Sequence, residues 1–168
     1  MSMIGNFRRA SDAKVEALVA DPESILDYLD DDGGEDESND VHADLDVDKA
    51  WHGIHFLLTG TAWGGEFPLA FIVRGGREVG DVGYGPARVF SSAEVKAIAT
   101  ALEPLSRQAL EGRFDAAAMT RLDIYPAIWS RPHEEDDTLE YLLASYETLA
   151  AFVAGAAREG EGLIVYVS

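Results

Sequence analysis

Cysteine is absent from the 168 residues. That excludes a disulfide framework, a thiol nucleophile and any thiolate metal site, and it accords with a reducing compartment. Long apolar runs are missing too; none approaches the roughly 20 residues that a membrane-spanning helix requires. The opening MSMIGNFRR places its arginines after a short apolar patch, with neither a hydrophobic signal core nor a cleavage site. It reads as the first strand of the fold, so the expectation is a cytoplasmic protein with no membrane association. Positive charge is scarce: 13 Lys and Arg stand against 31 Asp and Glu, a formal net charge of −18. Such a chain repels phosphate backbones, so nucleic acid is not an expected ligand, whereas a basic protein partner is compatible with it.

What the chain does have is apolar content, 47% of its residues, enough for a folded core without staples. Its length fits one domain, 1–168. The acids are unevenly spread. No basic residue lies between Lys14 and Lys49, and the stretch DDDGGEDESND has no apolar residue with which to offset its own ordering entropy. A mobile acidic loop is therefore expected at 30–40. A calcium loop fits poorly, because setting Gly33 or Gly34 at the sixth position puts Tyr28 or Leu29 at the first, where Asp is required.

Elsewhere the periodicity reads mostly as helix. Ser11 caps DAKVEALVA, and Asp21-Pro22 restarts a helix with Ile25, Leu26 and Leu29 inward. Asp46 or Asp48 opens a helix that stops at Gly60, and EFPLAFIVRGG is ambiguous between strand and short helix. The run GGREVGDVGYGPARVF reads as loop followed by a strand around Ala87–Phe90. Ser91 and Glu94 form a capping box, Asp115 caps AAAMTRLD, and a long helix carries Leu139, Leu142, Leu143, Tyr146, Leu149 and Val153 inward before LIVYV closes the chain as an internal strand. With strands at both ends and no βαβ alternation, the fold class is α+β: a predominantly helical single domain with a small sheet that pairs the N-terminal and C-terminal strands.

The segment DVDKAWHGIHFLLTGTAWGGE concentrates the unusual residues. On a helical wheel Asp48, His52, His55 and Thr59 form one polar stripe beside the apolar stripe Val47, Trp51, Ile54 and Leu58. A polar stripe hemmed by large side chains needs hydrogen-bond partners. The imidazoles could tie the helix to a neighbouring loop, with Asp48 holding one ring. They could serve a ligand or catalytic site, since histidine titrates near neutrality. They could also ligate a metal with Asp48, although one straight helix rarely supplies three ligands, and His42 and His133 lie in acidic segments poorly placed to help. The glycine runs are weak motifs: in GTAWGGE, Glu66 stands where a phosphate loop has Lys, and GYGPAR is a poor dinucleotide fingerprint. They do put Trp63, Glu66, Tyr84 and Arg88 on loops. Folded over His52 and His55, those loops would make an aromatic-walled pocket with Asp48, Glu66 and Arg88 as its charges.

MIGNF, LDVDKAWHGIHFLLTGTAWGG, DVGYGPARVFSSAEVKAIA, IYPAIW and EYLLASYETLAAFVAGAAREGEGLIVYVS together resemble the YfbM-like family of bacterial proteins. The likeness covers nearly the whole chain except the acidic loop. It implies a compact α+β single domain, and because the family is a domain of unknown function it implies no activity, cofactor or catalytic residue. Two functions follow from the residues themselves: an acidic module that recognises another, basic protein, or a small-molecule-binding protein or enzyme of hydrolase or transferase type with a pocket around His52 and His55. In the second, one imidazole would be the general base and Arg88 would hold an anion. No metal site is assigned.

Overall fold

The computed structural model describes residues 2–30, 44–131 and 137–168. The acidic loop beyond Asp30, and His42 and His133, lie outside them. Strands β1 (Gly5–Ala10), β2 (Asp44–Asp46), β3 (Arg77–Asp81), β4 (Pro86–Phe90) and β5 (Gly162–Val167) form one antiparallel sheet in the order β2-β1-β5-β4-β3. Its two ends of chain meet at the centre, with Phe7 opposite Val165 and Arg8 opposite Ile164. The unbroken apolar run of β5 is what a strand buried on both faces needs, and Leu163, Ile164 and Val165 are all buried. The fold is α+β, as its pattern predicts.

Helices cover both faces. Alternation along the strands sends Phe7, Phe90, Leu163 and Val165 to one side, where α3 (Trp51–Thr59), α4 (Ser92–Leu102), α5 (Arg107–Glu111), α6 (Ala116–Arg121) and α7 (Thr138–Arg158) build the larger core. Val79, Ala87, Val89 and Ile164 face the other way and pack with Val15 and Leu18 of α1 (Asp12–Ala20) and Ile25 of α2 (Ile25–Asp30). The caps expected at Ser11, Ser91 and Asp115 form, each side-chain oxygen accepting a main-chain N–H three residues on, and Ser91 and Glu94 complete a reciprocal box. Asp12 then accepts from the Ser92 main-chain N–H and hydroxyl, tying the starts of α1 and α4 together across 80 residues of chain.

Four local readings are corrected. A single 3-10 turn, Pro22–Ser24, precedes α2 and rotates its wheel, so Ile25 is buried while Leu26 is 49% exposed. The segment 66–74 is neither strand nor regular helix but a chain of helical turns, Ala70 and Arg74 donating to the carbonyls of Glu66 and Ala70. Arg77–Asp81, expected as loop, is the edge strand β3, whose only inward apolar side chain is Val79. Finally α3 begins at Trp51, not at Asp48. Asp48 has φ 49° and opens a 3-10 turn, so it is off the helical wheel that carries His52 and His55.

Candidate functional site

Along α3 every residue from Trp51 to Leu58 is buried, imidazoles included, and both histidines have no solvent exposure. The helix stops where Gly60, at φ 73°, closes it with an N–H to the Phe56 carbonyl. Close approach rather than turning explains Gly53: a Cβ there would lie 2.7 Å from the Trp129 ring and 2.8 Å from Leu142.

His52 uses both ring nitrogens. The Tyr125 main-chain N–H donates to Nδ1 at 2.8 Å, so Nδ1 must be bare and Nε2 carries the proton, which it donates to the Ala62 carbonyl at 2.7 Å. A second proton on Nδ1 would face another N–H. Burial accordingly lowers the pKa, opposed only in part by the Ala62 carbonyl. The ring is stacked on Trp51, centroids 5.1 Å apart, and lies 4.3 Å from the Trp63 ring. His52 thus pins the loop after α3 to the Tyr125 segment and backs the indole of Trp63.

His55 is less well served. Its Nε2 lies 3.3 Å from Thr59 Oγ1, and its Nδ1 is buried with no partner among the described residues. Burial drives its pKa down to about 4, with His52, Arg88 and Arg74 adding repulsion and the Gly64 main chain opposing. The Thr59 hydroxyl donates to the His55 carbonyl, while Thr61 Oγ1 lies 3.0 Å from Thr59 Oγ1 and accepts from the Gly64 N–H, so the Trp63 loop is braced on α3.

In front of this stripe opens a cleft of about 480 Å³. Its floor is the larger-core face of the sheet, where Glu78, Arg88 and Val165 are successive cross-strand partners in one row. Trp51 and Trp63 wall one side, Ile72 and Val73 another, and Tyr84 comes from the β3–β4 turn. Trp63 is 59% and Tyr84 42% exposed, so the mouth is aromatic. Arg88 is buried. It donates from Nη2 to the Ile72 carbonyl and from Nη1 to the Gly75 carbonyl at 3.2 Å, anchoring the 66–76 segment to the sheet. Gly76 makes this crossing at φ 71°, with the Val89 carbonyl where a Cβ would need to be. Among the described residues no carboxylate lies within ion-pair distance of the guanidinium, and burial lowers its pKa to about 10, with Glu78 acting the other way.

Of the seven residues singled out in the sequence, Trp63, Tyr84 and Arg88 line this cleft, and His52 and His55 lie behind it. Asp48 and Glu66 do not join them. Asp48 accepts from the Tyr141 hydroxyl at 2.8 Å on another part of the surface, so it holds neither imidazole, and Glu66 is exposed. With Asp48 turned away and both His52 nitrogens spent on the main chain, the His/His/Asp ligand set does not assemble. No cluster of three or more potential metal ligands occurs among the described residues. Glu78 and Val165 carried no sequence signal as site residues; only their register beside Arg88 puts them there.

A family model described as a domain of unknown function, DUF1877, matches residues 1–166. The chain belongs to this family. It is similar to the protein YfbM of Escherichia coli (strain K12), with 26% identity over 171 residues and 99% of each chain covered. It is also similar to the crystal structure of YfbM from Escherichia coli, itself described as a protein of unknown function: TM-score 0.72, 26% identity, 98% of this chain and 99% of that one covered. The likeness extends across the whole fold, and no activity comes with it. No helix among the described residues is long and apolar enough to cross a membrane.

Proposed function

We propose that this protein is a small-molecule-binding module, cytosolic and bacterial, whose recognition element is the Trp63–Tyr84–Arg88 cleft. The single observation that carries this is a buried guanidinium, unpaired with any described carboxylate, on the floor of an aromatic-walled hollow. Its volume of about 480 Å³ falls within the roughly 300–1,000 Å³ usual for ligand sites, which join apolar walls to a few fixed polar groups. The lack of cysteine and the likeness to an Escherichia coli protein support the compartment and source.

Binding is favoured over catalysis because the two candidate bases are sequestered. His52 has both nitrogens engaged, and His55, with a pKa of about 4, is a weak base behind the cleft wall. The test is a ligand-observed NMR screen of a metabolite library, repeated on Trp63→Ala. Compounds bound by the natural chain and lost from the variant support the reading; no compound bound, or binding indifferent to Trp63, defeats it.

A second reading, recognition of a basic protein, is favoured by one further observation. Phe67, 42% exposed, joins Trp63 and Tyr84 among the exposed aromatics, on a chain of net charge −18. Aromatic residues are enriched at protein interfaces, and opposite charge speeds encounter. Capture of a partner whose association rate is unchanged between low and high salt would argue against it.

A further inference from the structure

We propose that the ligand of this cleft is a small zwitterion, one carboxylate and one ammonium on an aromatic or apolar body. The inference rests on the cleft reading above and names its ligand class. Three observations converge on it.

The first is the floor. Glu78 and Arg88 are direct cross-strand partners on the same face of the sheet, and both line the cleft. Side chains so placed stand about 5 Å apart at their Cβ atoms and normally pair. Here they form no ion pair, because the guanidinium is turned to the Ile72 and Gly75 carbonyls. The cleft therefore presents one positive and one negative group side by side, within each other's field but not in contact.

The second is the donor count. A guanidinium has five N–H donors in a planar fork. Two of Arg88's meet neutral carbonyls, which fix its plane, and its Cζ lies 5.7 Å from the centre of the Phe90 ring, but no hydrogen bond joins it to a described carboxylate. A carboxylate arriving from the cleft would meet the remaining donors.

The third is long-range charge. A bare anion would approach a chain of net charge −18 against its field. A bare cation would be placed beside Arg88. A zwitterion has no net charge to be repelled and can satisfy both groups at once. Trp51, Trp63 and Tyr84 provide flat apolar walls for its body.

Three probes that differ only in charged groups test this on the full chain: L-phenylalanine, phenethylamine without the carboxylate, and 3-phenylpropanoate without the ammonium. Binding is read by tryptophan fluorescence and calorimetry, with neutral indole as a fourth probe. Phenylalanine is expected to bind at least tenfold tighter than either truncated molecule. Glu78→Gln, an exposed substitution with no fold to lose, should erase its advantage over phenylpropanoate, and Arg88→Lys should weaken phenylalanine and phenylpropanoate alike. If Arg88→Lys fails to fold, Glu78→Gln still decides. Equal binding of phenylalanine and either truncated probe overturns the inference. Binding of indole alone overturns it too and leaves the cleft reading standing. Silence from all four, with an empty library screen, defeats both.

Discussion

The imidazole stripe and the aromatic cleft lie back to back, sharing the Trp63 ring, yet they are built in opposite ways. In the stripe, polar groups are buried and turned inward: His52 is stacked on Trp51 and tilted against Trp63, with both nitrogens spoken for. In the cleft, the apolar groups are the ones left outside, Trp63 and Tyr84 among them, around a guanidinium that hydrogen-bonds to carbonyls and to no described carboxylate. The difference separates a region whose polar groups are satisfied inside the fold from the one on which the proposed binding reading rests. A satisfied buried polar group specifies one packing. An exposed aromatic rim is apolar surface that a bound molecule would take out of water.

The largest expected break is His52→Ala. It removes a buried ring and strands the Tyr125 N–H and the Ala62 carbonyl, so stability should fall by about 3–5 kcal/mol in urea unfolding. A loss below about 1 kcal/mol would mean the ring is not the tie between those segments.

Next in size is a pH effect from the less satisfied member of the stripe. His55 has a folded pKa of about 4 against an ordinary value of 6.5. The unfolded chain therefore binds the proton first, and stability present above pH 6.5 is lost as pH falls toward 4. His52, also lowered, adds in the same direction. Between about pH 7 and pH 5.5, before most carboxylates titrate, roughly 1–1.5 kcal/mol should go. His55→Leu should flatten that slope, and an unchanged slope would show that the imidazole is not buried uncharged.

The smallest effect sharpens the boundary of the two regions. Asp48→Asn keeps a residue tolerant of positive φ and an acceptor for the exposed Tyr141 hydroxyl, so stability should move by no more than about 0.5 kcal/mol. Ligand binding in the cleft should not change at all. A loss of several kcal/mol would couple Asp48 to the stripe after all.

How much of this is legible in the sequence depends on whether the signal is local. The caps at Ser11, Ser91 and Asp115, the stop at Gly60 and the apolar β5 each rest on neighbours a few residues away, and each forms. The burial of His52 and His55 follows from the large side chains around them on one helical turn. β3 was illegible because an edge strand with a single inward apolar residue has no pattern to read. Asp48 was misassigned because a wheel assumes one continuous helix, and a left-handed φ at its first residue ends that assumption. The partners of His52, main-chain groups of Ala62 and Tyr125, have no side-chain signature whatever.

By itself the sequence determined the class of fold, the meeting of the two terminal strands, the caps at Ser11, Ser91 and Asp115, the stop at Gly60 and the sheltering of the imidazoles, because hydrophobic period and capping are short-range properties. The tertiary structure alone decided that Glu78, Arg88 and Val165 stand in one row and that Asp48 and Glu66 stand elsewhere. Strand register brings residues 78, 88 and 165 side by side, and a one-residue slip would send them to opposite faces.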